Sequence, residues 1–109
     1  MEARLNTVKL CGACRDGNIE VVEDILGNKE VNINGSDNSL RGGTPLTYAV
    51  KSGHLAIVRR LLQHPGVDIN APDSYDDTPL MCAVMRGYLD IVRTLLEVPT
   101  ATFQCNNYG

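Results

Sequence analysis

A chain of 109 residues, 43% hydrophobic and 21% charged, has room for one compact domain or one short solenoid and not for two independent cores. Four Tyr, one Phe and no Trp argue against an aromatic-centred core and leave the packing to Leu, Val, Ile and Ala. A net charge of −3 gives no overall attraction to nucleic acid or an anionic membrane, and the longest apolar run, Leu80 to Met85, is far too short to insert across a bilayer.

Residues Met1 to Leu10 lack the basic start and apolar stretch of a secretory signal. A cytoplasmic protein is therefore expected, with the nucleus as the alternative compartment. The four cysteines, Cys11, Cys14, Cys82 and Cys105, then read as reduced thiols. Cys11-Gly-Ala-Cys14 has the spacing of a zinc or redox half-site, but no second Cys or His pair completes it, and packing is the better account of Cys14 and Cys82.

Self-similarity organises the rest. Thr44-Pro45-Leu46 recurs as Thr78-Pro79-Leu80 after 34 residues, and the same shift carries Ala49 to Ala83, Gly53 to Gly87, Ile57-Val58 to Ile91-Val92 and Leu61-Leu62 to Leu95-Leu96. A backward shift of 36 takes Leu46 to Leu10, Ala49 to Ala13, Gly53 to Gly17, and Val67-Asp68-Ile69-Asn70 to Val31-Asn32-Ile33-Asn34. In chain order, each copy reads as a helix ended by glycine (Gly17, Gly53, Gly87), a second amphipathic helix, and an extended finger. Thr44 and Thr78 suit helix N-caps, and Pro45 and Pro79 suit the first helical position, where a missing N–H costs nothing. The second helix of the middle copy puts Leu55, Ile57, Val58, Leu61 and Leu62 on one side; in the third copy Leu89, Ile91, Val92, Leu95 and Leu96 take those roles. No copy can bury that face alone, so stacking must do it.

These residues resemble the ankyrin repeat family, whose signature is a period near ~33 with T-P-L-H-x-A. The matches are Thr44-Pro45-Leu46-Thr47-Tyr48-Ala49, Thr78-Pro79-Leu80-Met81-Cys82-Ala83 and Gly53-His54-Leu55, and the likeness covers roughly residues 5 to 103. The resemblance implies an all-α ankyrin-repeat solenoid of three helix-turn-helix repeats with finger loops. As one domain over 1–109, its repeats fall at about 5–38, 39–72 and 73–106, and 107–109 start a truncated further repeat. The family histidine is replaced by Thr47 and Met81, and the first copy has Val8-Lys9-Leu10 in place of Thr-Pro-Leu, as suits a terminal repeat. The finger before Thr44 is two residues longer than the one before Thr78, with a turn-rich Asn34-Gly35-Ser36-Asp37-Asn38-Ser39 segment. Phe103 aligns with Ile69, and no polar capping helix follows, so the last helical pair is expected to be uncapped and open to self-association.

By analogy with the family, the chain is a non-enzymatic protein–protein interaction module, adaptor or inhibitor in type, binding a partner on a concave face of finger tips and inner helices. The alternative is a structural or self-associating segment of a longer scaffold. The inner-helix positions before each glycine are Arg15 and Asp16, Lys51 and Ser52, Met85 and Arg86; the finger positions are Leu40, Arg41 and Gly43, then Ser74, Tyr75 and Asp77. Arg15, Lys51 and Arg86 read as a basic row, joined by Arg41, with Leu40, Tyr75 and Met85 as apolar or aromatic anchors. The expected partner segment carries acidic residues and one apolar anchor, although simple solvation of these charges stays open.

Catalytic, cofactor and metal sites are not expected. His54 occupies a family structural position, matched by Tyr88. Asp73, Asp76 and Asp77 crowd one finger, where turn formation explains them more cheaply than a weak Ca²⁺ site. Arg41-Gly42-Gly43-Thr44 lacks the strand and Lys of a phosphate-binding loop. Asn34-Gly35-Ser36 would be a glycosylation acceptor only in a secreted protein.

Overall fold

The computed structural model describes residues 2–28, 30–36 and 43–98. Among them six helices form three antiparallel pairs: α1 (Glu2–Asp16) with α2 (Ile19–Asn28), α3 (Pro45–Lys51) with α4 (Leu55–Leu62), and α5 (Pro79–Arg86) with α6 (Leu89–Leu96). No strand occurs among the described residues. The first helices stack in one row, α1 on α3 on α5, and the second helices in another, α2 on α4 on α6. The result is an all-α solenoid.

The local chemistry explains the repeat boundaries. The hydroxyls of Thr44 and Thr78 accept from the N–H groups of Thr47 and Met81, each at 3.3 Å, so one orphan donor per helix is satisfied just where Pro45 and Pro79 set the first helical φ. The helices α1, α3 and α5 run out at Gly17, Gly53 and Gly87, whose φ values of 79°, 76° and 73° turn the chain back. Two of these glycines are also stacking surfaces. The His54 ring lies on Gly17, with its Nε2 3.2 Å from the Arg15 carbonyl, and the Tyr88 ring lies on Gly53. Each of the two later copies therefore plants an aromatic ring from the start of its second helix onto the turn of the copy before it.

The core is one continuous seam. Leu10, Cys14, Val22 and Ile25 of the first pair, Leu46, Ala49, Val50, Ile57, Val58 and Leu61 of the second, and Leu80, Cys82, Ala83, Ile91 and Leu95 of the third are buried together. Small Ala49 and Ala83 let the first-helix row pass closely, and both are fully buried. Asn34 ties successive fingers: its amide donates to the Gly66 carbonyl (2.8 Å) and its oxygen accepts from the Asp68 N–H (2.6 Å).

Three features depart from a uniform repeat. Leu89 and Leu96 do not join the buried side of α6; they are 71% and 61% exposed. Their counterparts Leu55 and Leu62 pack against the core because the third pair covers them, and no described residue covers the third pair. The first helix is longer than its counterparts, beginning at Glu2, since no Thr-Pro forces a start near Val8. Gly43 is buried, not a finger tip: a Cβ there would come within 2.9 Å of Thr47.

Candidate functional site

The finger that precedes α5 is organised by one carboxylate. Asp73 Oδ1 accepts from the backbone N–H groups of Tyr75 (2.8 Å) and Asp77 (3.0 Å). Its Oδ2 meets Lys51 Nζ at 2.7 Å and the Cys82 thiol at 3.7 Å. The Asp73 side chain is 1% exposed. Burial by itself would push its pKa up, but the hydrogen-bonded Lys51 ammonium and the two backbone donors outweigh it and hold the carboxyl below the usual carboxylate range. The turn closes with the Asp76 N–H on the Asp73 carbonyl (3.1 Å), and Asp76 takes φ 64°, a conformation Asp tolerates better than most residues. Turn formation is thus what the crowded aspartates do: the lone pairs of Asp73 are engaged by Lys51, Cys82 and backbone.

This lock presents Tyr75. Its backbone is pinned through Asp73, its side chain is 60% exposed, and the Lys51 ammonium sits 5.7 Å from the ring centroid, within cation–π range. Lys51 is the last residue of α3, and Tyr48, three residues before Lys51 and four before the C-cap Ser52, lies one turn back on the face next to both. From the neighbouring pairs, Arg15 at the end of α1 and Arg86 at the end of α5 reach the same place. Cations suit all three helix ends, because the unpaired carbonyls there carry the negative end of the dipole. Together Arg15, Tyr48, Lys51, Ser52, Tyr75 and Arg86 line a cavity of about 390 Å³ between the first-helix row and the finger.

Five residues expected from sequence therefore converge: Arg15, Lys51, Ser52, Tyr75 and Arg86. Met85 (60% exposed), Ser74 and Asp16 are exposed but do not line the cavity, Asp77 is half-buried, and Leu40 and Arg41 lie outside the described residues. The basic row needs revision in two ways. In repeat register Met85, not Arg86, is the counterpart of Arg15 and Lys51; Arg86 corresponds to Asp16 and Ser52 and reaches the cavity one position later. Two of the three charges also have carboxylate partners, Arg15 with Asp16 (3.2 Å) and Lys51 with Asp73. Arg86 makes no ion pair among the described residues. Sequence reasoning missed Tyr48, although its helical spacing to Lys51 and Ser52 was a usable signal.

The described thiols are packing groups. Cys11, Cys14 and Cys82 are buried thiols. Burial pushes the Cys14 thiol far up, and burial together with the Asp73 charge pushes Cys82 up to about 12, so neither supplies a thiolate at neutral pH. Cys105 lies outside the described residues. No helix among the described residues is long and apolar enough to cross a membrane.

A family model describing ankyrin repeats in three copies matches residues 10–107. No curated protein gives a significant match to the chain.

Proposed function

Because the chain belongs to the ankyrin repeat family, whose members are in general non-enzymatic protein–protein interaction modules, we propose that it binds a partner protein through the face that joins the first-helix row to the fingers. The convergence of Arg15, Lys51, Ser52, Tyr75 and Arg86 on one cavity carries this reading. Tyr75 is the anchor: a large ring held in place before binding loses little entropy on contact, and aromatic and Arg side chains dominate interface energetics. Arg86 supplies the uncompensated charge for an acidic residue of the partner segment. The module acts as an adaptor or inhibitor in the cytoplasm, presenting a surface and performing no chemistry.

The test is capture from cytosol by the whole chain, compared with Tyr75→Ser, Arg86→Glu and, on the opposite helix row, Arg59→Glu. Loss of the same captured protein with the first two and retention with the third is the expected pattern. Equal capture by all four chains overturns the reading.

A second reading, self-association through the third helical pair, is favoured by the exposure of Leu89 and Leu96. Sedimentation velocity over a hundredfold range of concentration decides it: a constant monomer sinks it.

A further inference from the structure

The cavity between the first-helix row and the finger has an unusual wall for an acidic protein. Among the described residues that line it, three side chains are cationic (Arg15, Lys51, Arg86), three carry hydroxyls (Tyr48, Ser52, Tyr75) and none is a carboxylate. Asp73 is buried behind Lys51, and Asp16 is not among the lining residues. Every lining side chain can donate a hydrogen bond, so the complementary ligand is an oxyanion.

We propose that this cavity is a subsite for a phosphate monoester carried on a side chain of the partner. The inference rests on the partner-binding reading above and names the chemistry recognised there. Charge decides for phosphate over carboxylate. Arg15 and Lys51 already hold one carboxylate each, so a single negative charge gains mainly what Arg86 offers. A phosphate monoester brings a charge of about −1.5 to −2 and three acceptor oxygens, enough to engage Arg86 together with the remaining donors of Lys51. An ammonium has three N–H groups, and the Asp73 Oδ2 contact at 2.7 Å uses one of those on Lys51. Size agrees: about 390 Å³ exceeds what a carboxylate fills and leaves room for the ester's own side chain against the rings of Tyr48 and Tyr75. The site is also built in advance, since Asp73 fixes both the Lys51 ammonium and the Tyr75 backbone before any ligand arrives.

The experiment is a nuclear magnetic resonance titration of the whole chain with three capped amino acids: O-phosphotyrosine, O-phosphoserine and glutamate, each as its N-acetyl amide. Phosphotyrosine is expected to bind at least tenfold tighter than glutamate, to move the Tyr75, Lys51 and Ser52 signals, and to lose at least fivefold in affinity in Arg86→Gln but not in Arg59→Gln. Phosphoserine within threefold of phosphotyrosine would assign recognition to the phosphate alone, and weaker phosphoserine binding would add the two rings; the phosphate monoester is the ligand in both cases. Equal affinity for glutamate and phosphotyrosine, indifference to Arg86→Gln, or shifts elsewhere on the chain would overturn the proposal. A partner protein captured through the same face in unphosphorylated form would leave the partner-binding reading intact while the subsite inference fails.

Discussion

The second and third helical pairs carry nearly the same apolar pattern and reach different fates. Val50 is fully buried, whereas Val84 is 40% exposed; Leu55 and Leu62 are packed against the core, whereas Leu89 and Leu96 stand open. The Tyr88 ring covers Gly53, and nothing among the described residues covers Gly87. Sequence within a repeat decides which face is apolar, and the neighbour decides whether that face is buried. A solenoid's stability therefore resides at the joints between copies more than within them.

The sharpest way to break this comparison is to place a charge at the two equivalent valines. Val50→Asp should cost at least about 4 kcal/mol, a large share of the roughly 5–15 kcal/mol that holds a domain folded, because an isolated carboxylate would sit in the joint between pairs. Val84→Asp should change stability by less than about 0.5 kcal/mol, as an exposed substitution does. Circular dichroism melts of both variants check this, and equal losses would mean that something covers the third pair after all. The glycines carry the next largest cost. Alanine at either Gly53 or Gly87 is forced into a left-handed backbone, which costs about 1–2 kcal/mol. Gly53→Ala should cost about 1 kcal/mol more, since its Cβ would lie 3.1 Å from the Tyr88 ring while Gly87 faces open space. Urea unfolding of the pair measures the difference directly.

Much of this fold is legible in the sequence, for reasons that differ by residue. The Thr-Pro starts and glycine stops are local chemistry, and a shift of 34 residues finds them. The burial of Leu61 and Leu95 follows from helical period alone, as both face their own pair's core. The exposure of Leu89 and Leu96 depends on what stacks beside α6 and not on α6 itself, so the repeat pattern does not carry it; only the expectation of an uncapped last pair points to it. Of the site, the helix-end and finger positions can be read from the repeat, but not the buried ion pair that engages Lys51. Lys51 and Asp73 are 22 residues apart, and only the stacking of α3 against the next finger brings them together. Gly43 departs from its expected place because repeat register assigns it to the finger, while its backbone lies directly against Thr47.

The leucines carry a smaller cost. Leu62→Ala should lose about 2 kcal/mol, the low end for a large-to-small change because the side chain is only partly buried, and Leu96→Ala should lose less than about 0.5 kcal/mol. Thermal melts that rank them the other way would show the third pair to be the better-packed joint.

The last of these losses ties the joint to the site. Met85 stands where Lys51 would be in the third pair, so Lys51→Met makes the middle pair like its neighbour and leaves Asp73 buried without its ammonium. Loss of that charged hydrogen bond should cost about 1.5 kcal/mol at neutral pH. The sign of its pH dependence follows from Asp73. The folded protein holds this carboxyl below its unfolded value of about 3.9, so the stabilisation is complete above that pH and disappears as the pH falls through the folded pKa. Without Lys51 the folded pKa rises, and the variant gains less from ionising Asp73. The stability gap between wild type and Lys51→Met should therefore hold steady from neutrality to about pH 5 and close below about pH 4. Denaturant melts at a series of pH values test it. A gap that stayed constant, or widened in acid, would mean that the Lys51 stem supports the joint by packing and that the Asp73 charge contributes nothing to holding Tyr75 in place.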